Sequence, residues 1–424
     1  MASLSKNKRE KSAKVQKRKK TEFRIVLAEI DKTFFLIVVI LLVFGLIMMF
    51  SASYAAALNE HNDGYYFLKR QLMCAGLGII AMFITSFVDY NFFYNTKVAY
   101  LIFLGSLGLC IYTALFGQET AGARRWITLL GIQFQPSELL KIAFIIIFAY
   151  ILSVNAQKLK TSWKHCFIPF IVIFGLVCGV LAMQRHISAV MLIGIIGISM
   201  MFVSGMPSKF FWRFMAICAG AGVLMVLVLV IKGGGNFSYI SDRLESWRNP
   251  LSDPSDKTHQ TYESLLAIGS GGWFGLGFGE SRQKYLYLPE SQNDFIFSII
   301  CEELGFIGGV IVVLLFVLFV IKGFQIAANA RDRFGMLLAT GITIQIGSQA
   351  LLNIMVASNA FPNTGISLPF FSAGGTALVF QLFEMGILLS ISRQNLKYRS
   401  GEKRAVKAVS AADTSKTAES TQSV

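Results

Sequence analysis

The strongest constraint on this chain is the recurrence of long apolar stretches, near 34–50, 72–88, 98–116, 139–153, 166–183, 187–204, 214–231, 295–321, 335–356 and 376–392. Most are long enough, at about 1.5 Å per residue, to span a hydrocarbon layer about 30 Å thick as α-helices. In lipid every backbone N–H and C=O needs an internal partner, and a helix supplies it segment by segment. With 54% of its 424 residues hydrophobic, the chain is expected to be an all-α polytopic membrane protein of about ten transmembrane helices, with a large extracytoplasmic loop between helices 7 and 8. It divides into a basic, mostly disordered tail (1–32), a membrane domain (33–393, with the outer loop at 232–293) and a second disordered tail (394–424).

The formal net charge of +15 does not point to nucleic acid, because the basic residues gather in the tails and in short connections between spans. Orientation explains them. An even number of spans puts both tails on one side, where 27 of the 39 Lys and Arg fall, against 11 on the other side and Lys141 within a span. The positive-inside rule makes that side the cytoplasm, where the Lys17–Lys20 stretch would meet anionic membrane lipid. Thr33–Phe50 followed by Ser51-Ala52-Ser53 has the shape of a signal peptide, but its long basic lead-in and the spans that follow favour an uncleaved first helix. The six cysteines lie in or beside apolar segments without a CxxC pair and read as buried filler. His186 has no Cys, Asp or His neighbour at ligand spacing, which makes it a cavity-lining or structural residue and no metal site.

Chemistry-bearing residues cluster at the outer ends of spans. The glycine-rich run Gly269–Gly279 has neither the preceding strand nor the Gly-Lys-Ser/Thr of a nucleotide loop; it reads as a re-entrant or interfacial turn whose N–H groups would still suit a pyrophosphate. Next comes Lys284-Tyr-Leu-Tyr-Leu-Pro-Glu290, and then Asp294 at the head of the eighth span. An aspartate there is either a helix N-cap or a catalytic carboxylate. Deeper in that span lie Glu302 and Glu303, which imply a protein-lined or wet cavity; at about 100° per residue only Glu302 would face Asp294's cleft. In Gln135-Pro136-Ser137-Glu138-Leu-Leu-Lys141, proline suits the first helical position and Glu138 and Lys141 share one face as an ion pair. That pair is either self-neutralising or tunes a nearby acid. Arg124 and Arg125 place two guanidinium groups at the outer surface, suited to phosphate, beside Trp126 as an interfacial anchor. The last outer loop, Pro362–Gly375 with Ser372, is uncharged and rich in turn formers, fit for packing or for a polar cavity wall.

Taken together, Gly122-Ala123-Arg124-Arg125-Trp126, Gln135-Pro136-Ser137-Glu138 with Lys141, Ala267–Gly272, Leu288-Pro289-Glu290 with Asp294–Phe297, Glu302-Glu303-Leu304-Gly305, and Thr364-Gly365 with Leu368-Pro369 resemble the SEDS family over about residues 33–393. The resemblance implies a peptidoglycan glycosyltransferase that polymerises lipid II, the undecaprenyl-pyrophosphate-linked disaccharide peptide, at the outer face of a bacterial plasma membrane. It also implies a class B penicillin-binding protein transpeptidase and other divisome proteins as partners. Carried over, Asp294 would be the general base, and Glu138, Lys141, Arg124, Arg125, Lys284, Glu290, Glu302 and Ser372 would line the substrate site. The cations, or a divalent ion such as Mg or Mn, would steady the leaving pyrophosphate. The sequence departs from the pattern at Ala121, Arg185, Gln292-Asn293 and Ala373. The run Ser281–Tyr285 leans towards division or sporulation members, implying a place at the septum. Two other classes share the architecture: a lipid II flippase, which needs access from both faces, and a noncatalytic divisome scaffold, which would tolerate loss of Asp294. The outward gathering of Asp294, Glu138, Arg124 and Arg125 favours chemistry on an exported substrate, while Glu302 and Glu303 leave room for transport.

Overall fold

The computed structural model describes residues 30–120, 123–129, 132–216, 246–250 and 258–396. Within them the apolar stretches become helices: α1 Lys32–His61, α2 Tyr66–Phe87, α3 Thr96–Phe116, α4 Pro136–Val154, α5 Lys164–Met183 and α6 Ile187–Val203. After α7 His259–Ser270, which lies in the long outer loop, come α8 Ile296–Ala328, α9 Arg333–Ala357 and α10 Thr376–Leu396. Nine of the ten expected spans are thus among the described residues. The chain is helical over 208–216, and the rest of the seventh expected span, like nearly all of both tails and part of the outer loop, lies outside them.

Local rules set the helix ends. Asp31 caps α1, its carboxylate accepting from the Phe34 N–H at 3.0 Å, and α1 runs on past residue 50 because Ser51, Ala52 and Ser53 pack, buried, within it. Pro136 opens α4, where its missing N–H costs nothing and its fixed φ suits the helix. One correction to the all-α expectation is a small antiparallel sheet of order β1-β2-β3, formed by Gln118–Thr120, Ala123–Leu129 and Ile132–Phe134. Gln118 faces Trp126 and Thr128 faces Gln133. Two of the strands are only three residues long, and the seven of β2, Ala-Arg-Arg-Trp-Ile-Thr-Leu, break alternation at Arg124-Arg125 and at Trp126-Ile127, which leaves little period to read.

Burial sorts the spans. Of the apolar windows of α4, α9 and α10, 72%, 72% and 78% are buried inside the protein, against 28–44% for the other long spans. Those three helices form the centre, and they carry polar groups that lipid would not tolerate: Glu138, Lys141, Gln345, Gln349, Asn353 and Glu384, all buried.

Helix α8 is broken at Gly305, whose φ of 69° and ψ of −169° are far from helical. A break inside a membrane frees carbonyls and N–H groups that need new partners. The glycine-rich run provides them: the N–H groups of Leu276 and Gly277 donate to the Glu302 and Glu303 carbonyls at 2.9 and 3.0 Å, and those of Phe306 and Ile307 donate to the carbonyls of Gly272 and Trp273 at 2.8 and 3.3 Å. The approach is backbone on backbone, since a Cβ on Gly275 would lie 2.1 Å from the Glu303 oxygen and one on Gly305 would lie 2.3 Å from the Gly275 nitrogen. The glycine run is therefore a turn packed against α8, and the Leu276 and Gly277 N–H groups are committed to it.

Gly305→Ala is expected to lower stability by about 1–3 kcal/mol through its left-handed backbone alone, and further through the collision with Gly275. Thermal unfolding in detergent checks this, with Gly105→Ala, where a Cβ would meet nothing within 4 Å, as the neutral control.

Candidate active site

Asp294 stands in a turn one residue ahead of the α8 cap. The N-cap position belongs to Phe295, so of the two sequence readings the helix-cap position falls to its neighbour. The carboxylate is half-buried, and its backbone is held on several sides. Asn353 of α9 donates its amide to the Asp294 carbonyl at 2.7 Å. Ser372 donates to the Asn293 carbonyl at 2.6 Å and accepts from the Leu368 N–H at 2.7 Å, and the Ala373 N–H donates to the Gln292 carbonyl at 2.9 Å. Glu290, itself at φ 56°, accepts from the Asn293 side-chain amide at 2.6 Å, and its carbonyl accepts from the Asn293 N–H at 2.9 Å. Gly365, at φ 66°, passes so close that a Cβ there would lie 3.3 Å from Asp294 Oδ2. Ser372 and Glu290 thus build the turn that presents Asp294, and the uncharged last outer loop is its wall.

Glu138 and Lys141 form the expected ion pair, 2.9 Å apart on the first turns of α4. Lys141 also donates to Gln349 Oε1 at 3.2 Å, and Gln349 donates onward to the Ser367 carbonyl at 3.1 Å. The pair is therefore wired to the same loop that walls Asp294. Arg125 on β2 donates to the carbonyls of Gln184 and Arg185 at the α5–α6 turn, while Arg124 donates to the Leu115 carbonyl at the C-terminal end of α3 at 3.0 Å, where a cation suits the helix dipole. His186 is within electrostatic reach of both Arg125 and Lys141. Burial, and after it the charges of Arg125 and Lys141, push its imidazole down to about 3, so it is neutral at physiological pH. Its Nδ1 is buried without a hydrogen-bond partner among the described residues. Ser188, at the start of α6, donates to the Thr364 carbonyl and closes this side.

Two expected site residues lie elsewhere. Glu302 is buried and accepts from Ser281 Oγ at 2.5 Å and from the Arg282 N–H at 2.9 Å, so it anchors the loop. Asp294 precedes the helix, so 100° per residue does not carry back to it. Lys284 is likewise buried: its ammonium donates to Gly279 O at 2.6 Å, to Glu303 at 2.9 Å and to Ser51 at 3.2 Å. It neutralises Glu303. The two deep glutamates that left room for a transport path are accounted for as anchors. Conversely, the sequence reading passed over Glu384 on α10, fully buried and accepting from Gln345 at 2.6 Å; the signal was available as one acid in an apolar span. No group of three His, Cys, Asp or Glu side chains converges among the described residues to hold a metal ion.

A family model described as "Cell cycle protein" (FTSW_RODA_SPOVE) matches residues 31–397. Among curated relatives, a probable peptidoglycan glycosyltransferase FtsW of Geobacter sulfurreducens is 37% identical over 362 residues, covering 85% of this chain and 95% of the relative. Stage V sporulation protein E of Bacillus subtilis is 37% identical over 364 residues, covering 86% and 97%. Among solved structures, a chain from work titled "Structural coordination of polymerization and crosslinking by a peptidoglycan synthase complex" superposes with a TM-score of 0.70 at 25% identity, covering 86% of this chain and 98% of that one.

The buried ion pair makes a prediction independent of chemistry. Glu138→Gln or Lys141→Met alone leaves one buried charge uncompensated and is expected to cost about 3–5 kcal/mol, whereas both together cost less than either. Thermal unfolding of the three purified variants checks the order.

Proposed function

Because this chain belongs to the FtsW/RodA/SpoVE cell-cycle family, we propose that it polymerises lipid II at the outer face of the plasma membrane, with Asp294 as the general base. It is a peptidoglycan glycosyltransferase, and the single observation that carries the assignment of its base is the Asp294 turn: a half-buried carboxylate on a backbone pinned from α9 and from the last outer loop. Catalysis by proton transfer needs that kind of fixed placement. As the acceptor sugar hydroxyl attacks the anomeric carbon of the donor, its proton passes to the Asp294 carboxylate. The donor's bond to pyrophosphate breaks, and undecaprenyl pyrophosphate leaves with the electron pair. Asp294 then returns the proton to solvent.

The leaving pyrophosphate carries the negative charge, so the cations around it decide the rate. Lys284 and Lys141 are buried in ion pairs and Arg124 is paired with Glu119 at 3.5 Å at the exposed edge of the sheet; the planar guanidinium groups of Arg124 and Arg125 suit bidentate contact with the pyrophosphate, with Glu138 and Lys141 holding the cavity electrostatically. A divalent cation such as Mg or Mn would add positive charge at the pyrophosphate oxygens, held by at most one or two protein carboxylates. A class B penicillin-binding protein would receive the glycan strand for crosslinking. Both termini would lie in the cytoplasm, and a role at the division septum follows from the division-type relatives. The similarity to a sporulation protein at the same identity makes sporulation the competing setting for the same chemistry.

The test is glycan polymer formed from purified lipid II by the full chain with a cognate transpeptidase, native against Asp294→Asn, with folding and partner binding verified. Polymer from the native chain and a loss of on the order of 100-fold or more in the variant is expected. Equal polymer from both would remove Asp294 as the base, and none from either would favour flipping or scaffolding.

A further inference from the structure

Helix α9 carries Gln345, Gln349 and Asn353 at intervals of four residues, which puts them on one helix face. All three are buried, Asn353 completely, and each reaches a different part of the protein. Gln345 donates to Glu384, Gln349 joins Lys141 to Ser367, and Asn353 donates to two carbonyls at 2.7 Å each, those of Asp294 and Ile366. A primary amide has two N–H donors, and Asn353 commits both. One fixes the turn that holds the carboxylate; the other fixes the last outer loop next to Gly365, where a Cβ would lie 3.3 Å from Asp294 Oδ2.

Resting on the assignment of Asp294 as the base, we propose that Asn353 is the positioning residue for the reaction, setting where the carboxylate stands relative to the loop that walls the acceptor. The Asp294 carbonyl belongs to a turn ahead of α8, and the Asn353 side chain carries a hydrogen bond from α9 to it. An apolar group of the same size at 353 would leave two buried carbonyls without their donor and free the turn to shift. A shift of about 1 Å at a reacting group costs on the order of 100-fold in rate. Substrate affinity, which depends on other groups, would be little changed. Asp at 353 would not substitute, since an ionised carboxylate donates nothing and would repel both carbonyls.

The experiment is steady-state polymerisation of lipid II by the full chain with its cognate transpeptidase, comparing native, Asn353→Leu, Asp294→Glu and the double variant. Asn353→Leu is expected to lower kcat by on the order of 100-fold with KM within about two-fold. In the Asp294→Glu background, where the carboxylate is already displaced, it is expected to add less than about three-fold, because residues acting through one another are not additive. Native kcat in Asn353→Leu would overturn the proposal. So would an equal loss in both backgrounds, or a change confined to KM, either of which marks a merely structural role. Should Asn353→Leu fail to fold, Asn353→Ser, which keeps one hydroxyl donor, is expected to give an intermediate kcat at native KM, and native kcat there would equally overturn it. Full activity in Asp294→Glu and Asp294→Asn together would instead defeat the base assignment itself, whatever Asn353 does.

Discussion

Everything at the outer face depends on how the protein satisfies the broken backbone of α8. A membrane helix interrupted at Gly305 exposes carbonyls and amides where no water can reach them, and the glycine run from 271 to 277 repairs the break with four backbone hydrogen bonds. That repair fixes the outer loop to the helix. Glu302 then ties down residues 281–283, and Glu303 draws in Lys284 and Ser51 of α1. With the loop anchored at its base, the chain from Leu288 onward returns to α8 along one path, and Asp294 is delivered at its end.

The buried charges divide into two sets with different physics. Lys284 with Glu303, and Glu302 with its loop donors, are satisfied internally and confer a fixed arrangement of loop and helix. Glu138 with Lys141 is also paired, yet it connects through Gln349 to the loop beside Asp294 and lies near neutral His186. A charge pair so placed contributes to the local potential, which suits the proposed reaction, in which a pyrophosphate leaves and a carboxylate accepts a proton.

Much of this was legible in the sequence. Apolar length was enough for the spans among the described residues, because lipid imposes one rule on every segment. The Glu138–Lys141 pair could be read from its spacing of three on a helix opened by Pro136, and Asp294 stood out as a lone acid at a span end. The short sheet at 118–134 was not legible, since two of its strands have three residues each and the seven of β2 do not alternate. The roles of Lys284 and Glu302 were missed because they depend on the kink at Gly305: a non-helical residue within an apolar run leaves no trace in hydropathy, and it alters which groups meet across it. Asn353 and Gln349 read as ordinary polar residues until their partners, distant in sequence, are seen.

The most direct measurement is a structure of the full chain carrying Asp294→Asn, trapped with a lipid II donor and a glycan acceptor in a lipid bilayer. The account predicts the acceptor hydroxyl within about 2.6–3.2 Å of the side chain at 294, with the donor pyrophosphate towards Arg124 and Arg125. An acceptor bound away from residue 294, or a lipid II headgroup held in a path open to the cytoplasm, would contradict it.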